Sequence, residues 1–206
     1  MNGGIHIMSK TFLEAVKGRR SIYAISKESP ISDAEIQEIV EAAVLHSPTS
    51  FNSQSSRAVV LLGDKHDKVW DITADTLRKI VPTEQFEGTA QKLSSFKAGY
   101  GTVLFFEDQA VVKHLQENFA LYAENFPIWS NQSSGILQFV VWTAFAEAGL
   151  GASLQHYNPL IDDEVKATFN IPADWKLIAQ MPFGKTVTAP GEKEFQPIEE
   201  RVKVIK

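Results

Sequence analysis

Polar and apolar positions in this chain follow two periods. Ile36, Ile39, Val40, Ala43 and Val44 recur at the spacing of one helix face. The run ends at Ser47-Pro48, where proline disfavours a helical residue before it. A shorter helix carries Phe12, Leu13 and Val16. Capping-box spacing opens both helices, Thr11 to Glu14 and Ser32 to Glu35, so that each side chain satisfies a free amide of the first turn. Further helices are expected over residues 64–79 and 84–97, separated by Val81-Pro82-Thr83. Compact apolar runs at 57–63, 101–106 and 177–181 are bounded by turn residues, the form of buried strands. Strands separated by helices predict a mixed α/β architecture, α+β in class.

Between residues 131 and 148, Ile136, Leu137, Val140, Val141, Ala144, Phe145 and Ala148 share one face, while Phe139 and Trp142 lie off it. A helix apolar nearly all round is buried on several sides. It is either a central helix within one subunit or a helix packed also against a second subunit. The tail from Glu192 is charged and contains the alternation Arg201-Val202-Lys203-Val204-Ile205, which reads as an edge strand with one apolar face.

Composition narrows the chemistry. With 206 residues, 44% of them hydrophobic, the chain supports a single domain over 11–206. Residues 1–10 are expected to be a disordered extension or an expression remnant, with Met8 as an alternative start. A net charge of -5 and a pI near 5.6 argue against nucleic acid or acidic membrane as partners. No apolar run approaches the ~18 residues of a membrane span, and the start lacks signal-peptide order, so a cytoplasmic protein is expected. Without cysteine, the chain has no disulfide, thiolate ligand or thiol redox motif, and redox chemistry must come from a cofactor. The histidines show no metal-ligand spacing, so no metal is expected. Near matches to a dinucleotide fingerprint at Gly149-x-Gly151, a phosphate loop at Gly184-Lys185-Thr186 and a nucleophile elbow at Ser153 each lack a required glycine.

Two polar clusters carry the candidate chemistry. In Gly18-Arg19-Arg20-Ser21, adjacent guanidinium forks and a hydroxyl suit a phosphate. They also suit solvated charges favoured at a helix C-terminus. Ser47-Pro48-Thr49-Ser50-Phe51-Asn52-Ser53-Gln54 offers hydroxyls and amides for a polyhydroxy chain and a heteroaromatic ring, or ordinary turn and capping residues. Together the clusters suggest a phosphorylated cofactor.

These clusters, followed by L-G-A-S-L-Q-H-Y-N-P and P-F-G-K, give the chain from Thr11 to Lys206 an order of blocks that resembles the nitroreductase family of flavin mononucleotide (FMN) enzymes. Within it, the chain is most similar to the short branch of fungal nitroreductase-like proteins and bacterial stress-induced nitroreductases. Ser55-Ser56-Arg57, standing where the common form has a proline and an aromatic residue, points to that branch. The resemblance implies a central, mostly antiparallel sheet flanked by helices, and a homodimer in which the C-terminal strand is exchanged. It implies that Arg19, Arg20 and Ser21 contact FMN, with Lys185 at the phosphate and Tyr23 where many relatives carry a basic residue. Pro48, Thr49, Ser50, Asn52 and Gln54 would serve the flavin held mainly by the other subunit. Leu154, Gln155 and His156 belong to the block against the isoalloxazine ring, where a backbone amide meets N5 and no catalytic side chain is needed. Phe126 and Trp129, in an aromatic-rich break between helices, are candidates for a substrate gate. The implied activity is ping-pong hydride transfer through flavin N5 from NADH or NADPH to a small nitroaromatic or quinone-type acceptor. The alternative is a flavin-binding regulator of redox or lipid signals with little turnover.

Overall fold

The structure, a computed structural model, describes residues 11–206; the expectation for residues 1–10 lies outside the described residues. Helices α1 (Phe12–Gly18) and α2 (Asp33–His46) begin where the capping boxes predict. The Glu14 and Glu35 carboxylates accept from the Thr11 and Ser32 amides at 2.7 and 2.8 Å. Between them lies β1 (Ile25–Ser26), and β2 (Ser56–Leu62), α3 (Asp64–Arg78), α4 (Phe86–Lys97) and β3 (Gly101–Asp108) follow close to the expected bounds.

Strand β5 (Trp175–Thr186) outruns the apolar stretch that predicted it because it is the centre of the sheet. The order is β1-β5-β3-β2, with β4 (Leu150–Ala152) on the opposite side of β5, and every paired strand is antiparallel. Val103 and Phe105 of β3 pack with α2 and with α6 (Phe126–Glu147), while Leu104 and Phe106 pack on the other face with α3, α4 and α7 (Asp162–Phe169). Helices on both faces explain why β3 reads as an unbroken apolar run rather than an alternating one. Each such side chain stabilises the fold by about 1.5–3 kcal/mol when fully buried.

The sequence did not signal β4, α7 or α5 (Gln109–Asn118). Helix α5 is started by Asp108, whose carboxylate accepts from the Ala110 amide at 3.1 Å.

Helix α6 differs from its prediction in two respects. It starts at Phe126 instead of residue 131, because Pro127 falls in the first turn, where a missing amide costs no helical bond. The aromatic-rich break is thus largely the helix's own beginning. Its apolar stripe also divides: Leu137, Val141 and Phe145 are buried against the sheet, whereas Ile136 and Val140 are 41% and 36% exposed.

The tail needs a correction as well. The alternation at 201–205 forms no strand in the single chain; a short 3-10 turn at Ile198–Glu200 is followed by extended, exposed backbone. A strand exists only where its amides and carbonyls find a ladder, and among the described residues of this chain the tail finds none. No described helix is long and apolar enough to cross a membrane.

Candidate functional site

The arginine block is fixed by the end of α1. Arg19 caps the helix in extended conformation, its amide donating to the Ala15 carbonyl at 3.0 Å, which turns the next residues toward β4. Ser21 then bridges to Ala152, and the Ile22 amide donates to the Ala152 carbonyl at 2.9 Å. Gly151 permits this approach, since a Cβ there would collide with Ile22 and Thr186. The fold thereby joins the arginine block to the block at 149–157, which lie far apart in sequence.

Around the junction is a cavity of about 570 Å³, lined by residues 19–24 and 188–193. Arg19, Arg20 and Lys193 face it with Glu192 as the single carboxylate, so it is cationic. The Arg19 guanidinium stacks 4.2 Å from the Trp142 ring centroid. Partial burial, and then repulsion from Arg20, lower its pKa from the ordinary arginine value. Arg20 donates to the Gly191 carbonyl at 2.9 Å, and Tyr23 is half-exposed at the rim.

Lys185 is directed elsewhere. Its ammonium bonds to Glu28 at 2.7 Å and holds that carboxyl below its usual pKa, and it does not line the cationic cavity. The lysine that lines the cavity with the arginines is Lys193, its ammonium 5.1 Å from the Phe195 ring centroid. Sequence reasoning missed it because a lysine in a charged tail reads as solvated.

In the third block, Gln155 is buried, exchanging backbone hydrogen bonds with Gln180 at 2.7 and 2.9 Å while its side chain donates to Ser153. It holds the sheet together rather than facing the cavity. Leu154 is partly buried and His156 is exposed.

The second polar cluster continues from the C-terminus of α2. Ser47 caps the helix, and the Thr49 hydroxyl accepts from the Gln54 amide at 3.0 Å, closing a loop in which Phe51, Asn52 and Gln54 all have positive φ. Asparagine tolerates that region well; a bulky phenylalanine at φ 57° is under strain of the kind concentrated at functional sites. Thr49 and Gln54 border a groove of about 500 Å³. Ser47 lines the same groove, and its buried hydroxyl has no hydrogen-bond partner among the described residues. Pro48 and Ser50 border a smaller hollow with Trp129 and Ile136. Asn52 is exposed, its amide donating to the Thr49 carbonyl at 3.0 Å.

This second cluster does not meet the first within one chain. It contacts α6 around Trp129 to Ile136, whereas Arg19 lies over Trp142, about 10–20 Å further along the helix at 1.5 Å per residue.

The aromatic candidates differ from one another. Phe126 is 2% exposed and forms the floor of a cluster whose centre is Phe51, at 5.2 Å between rings. Trp129 is partly buried and stacks on Phe51 at 6.1 Å and 19°. Phe51, Tyr122 and Phe119, whose ring lies 5.1 Å from Phe51, are the exposed members, at 50%, 45% and 42%. Phe51 escaped the sequence reading because it sits within a polar run; an aromatic residue inside a turn was the available signal.

Comparison with known proteins identifies the family. The pattern of the Nitroreductase family matches residues 16–185. The nitroreductase-like protein HBN1 of Saccharomyces cerevisiae is 37% identical over 187 residues, covering 90% of this chain and 93% of its own. The nitroreductase FRM2 of the same yeast is 35% identical, covering 89% and 92%. The structure of nitroreductase CinD from Lactococcus lactis in complex with chloramphenicol superposes with a TM-score of 0.88 at 49% identity, covering 95% of this chain and all of that one. With the fold, the order of blocks and the matched length in agreement, the chain belongs to the nitroreductase family and is an oxidoreductase.

Proposed function

We propose that this protein is an FMN-dependent NAD(P)H oxidoreductase that works as a homodimer and reduces nitroaromatic or quinone-type acceptors. The observation that carries the reading is the cationic cavity where Arg19, Arg20 and Lys193 converge beside the Ser21–Ala152 bridge. Its donors fit the polar end of FMN: guanidinium forks and an ammonium for the phosphate, and the Ser21 hydroxyl for the ribityl chain. The 149–157 block, joined to the cavity through the Ser21–Ala152 bridge, would meet the ring. Lys193 takes the phosphate role in this proposal, since Lys185 is engaged by Glu28. The unpartnered Ser47 hydroxyl and the strained loop at 49–54 fit the complementary face of a ligand that the chain itself does not supply. Bound FMN would supply two-electron redox chemistry, accepting a hydride from NADH or NADPH and passing it to the acceptor.

The chain's own residues then have distinct tasks. Arg19 and Arg20 hold the anionic end, and Arg19 is kept in place by Trp142 beneath it. Pro48, Thr49, Ser50, Asn52 and Gln54 complete the site from the second copy. That assignment is supported by their distance from the arginines along α6. Phe51, Tyr122 and Trp129 form the wall over which an acceptor enters, with Phe126 as its floor. CinD, described in complexes with chloramphenicol and with 4-nitrophenol, binds nitro compounds, which supports this acceptor class.

The homodimer accounts for three uncovered features. Ile136 and Val140 leave half of the α6 stripe exposed, β2 is an edge strand, and Val202, Val204 and Ile205 project from an unpaired tail. Beside β2 runs a groove lined by Val40, Ala58 and Val60, with Asp33 and Glu41 offering negative charge to Arg201 and Lys203 of an incoming tail. We assign the tail of the second copy to this edge.

A visible spectrum of the purified protein tests the reading. Under anaerobic conditions the flavin bands should bleach with NADPH or NADH and return on addition of a nitroaromatic or quinone. Failure to bind FMN after reconstitution would overturn the cofactor assignment; binding without reduction would favour the regulatory alternative.

A further inference from the structure

Loop 49–54 is tied to the start of α6 at two places. At the outer one, in the middle of the loop, Phe51 packs against Phe126 and stacks on Trp129. The inner tie is polar. Ser55 and Ser130 both donate to Oε2 of Glu107, at 2.6 and 2.7 Å, and Ser56 donates to Oε1 at 2.5 Å. Glu107 belongs to β3 and is 1% exposed; the three serines are also buried. By strand alternation it shares a face with Val103 and Phe105, the position an apolar side chain would ordinarily take against α6.

A carboxylate buried there is costly unless its lone pairs are satisfied. The adjacent cation does not satisfy them, since Arg57 bonds to Asp108 at 2.9 Å. Three hydroxyls do so instead, and hydrogen bonds to an ionised acceptor are about twice as strong as neutral ones. They come from two elements: Ser55 and Ser56 continue directly from loop 49–54, and Ser130 lies one turn into α6, beside Trp129.

We propose that Glu107 is a positioning residue that locks the 49–54 loop to the first turns of α6, so that the flavin-facing loop and the aromatic wall form one rigid unit. The proposal rests on the flavin reading for what the loop contacts, but the lock itself belongs to the chain alone. Rigidity of this kind fixes the width of the acceptor entrance: if the lock opens, Phe51 and Trp129 can separate and the loop's polar groups lose their direction.

The test is hydrogen–deuterium exchange on the full-length, flavin-free protein, comparing Ser130→Ala, Glu107→Leu and Glu107→Gln. Ser130→Ala, the variant least harmful to folding, should speed exchange in residues 49–56 and 126–133 about tenfold or more, the effect of losing one hydrogen bond to a charged group, with residues 177–183 unchanged. Glu107→Leu should do more in the same two segments. Glu107→Gln can still accept from Ser55 and Ser130 and donate to Ser56, so it should recover most of the protection. In the flavin-loaded enzyme, Ser130→Ala should raise KM for the quinone menadione while kcat falls much less, because the entrance changes and the reacting centre does not. Unchanged exchange in both segments would overturn the proposal. So would an increase spread equally through β3 and β5, which signals general destabilisation, or Glu107→Gln behaving like Glu107→Leu. If instead the wild-type protein bound no flavin, the functional reading would fail while the exchange result still decided whether the lock exists.

Discussion

Replacing Arg20 with alanine separates phosphate recognition from every other contact a flavin could make. Among the described residues the Arg20 guanidinium donates to the neutral Gly191 carbonyl at 2.9 Å. A bound phosphate would replace that acceptor with a charged one. A hydrogen bond to a charged group is worth about 1.5–3 kcal/mol net. Each factor of ten in Kd corresponds to about 1.4 kcal/mol, so Arg20→Ala should weaken FMN binding about tenfold to a hundredfold. Riboflavin has the same ring and ribityl chain without the phosphate, so its affinity should change little. Quenching of flavin fluorescence on titration measures both constants on one protein preparation. Lys193→Ala should move FMN binding in the same direction by a smaller amount, because an ammonium is a single charge without the planar fork. Equal loss of FMN and riboflavin would mean that Arg20 maintains the fold of the cavity, and no loss of either would remove the cavity from consideration as the phosphate site.

Three other outcomes follow from the same geometry. Ending the chain after Pro197 keeps the cavity-lining residues but removes the alternating segment, and it should convert dimer to monomer or aggregate by light scattering; a truncated protein that remained a stable dimer would refute tail exchange. Phe126→Ala and Trp129→Ala should diverge: the buried Phe126 should cost about 3–5 kcal/mol of stability in urea unfolding, whereas Trp129→Ala should alter acceptor KM with little effect on flavin content. His66 is buried and its ring bonds to the Thr102 hydroxyl at 2.8 Å and the Lys97 carbonyl at 3.2 Å, while Trp70 donates to the same hydroxyl. The carbonyl can only accept, so Nε2 carries the proton and Nδ1 accepts from Thr102; the neutral ring satisfies the network. Burial, more than the opposing carbonyl bond and Asp67, lowers its pKa below 6.5. The unfolded chain therefore takes up the proton first as pH falls, so stability should be level above about pH 6.5 and decline below it until the folded-state pKa is passed. The decline should be smaller in His66→Gln, and an equal slope in that variant would show that other groups cause it.

What could be read from the sequence was whatever local physics decides. Thr11, Ser32 and their glutamates make the expected capping boxes because the contacts span three residues. The run at 101–106 is a central strand because its apolar density leaves few other places for it. Elements that depend on distant partners were not readable: β4 has only three residues and exists because β5 offers it an edge, and Lys193 becomes part of the cationic cavity only after β5 carries the chain back past α1. The stripe on α6 and the alternation at 201–205 are a different case. Both patterns were visible, yet the single chain buries only half of the first and pairs none of the second. An unpaired strand edge invites association, and proteins that keep one usually cover it. Here β2 is an edge lacking a strand, and the tail has strand periodicity lacking an edge. The two needs are complementary, and in the homodimer we propose a second copy of the chain would answer both. That second copy would also offer loop 49–54 to the arginine cavity that it does not reach within its own chain, so the proposal gives the apolar surplus and the divided site a common explanation.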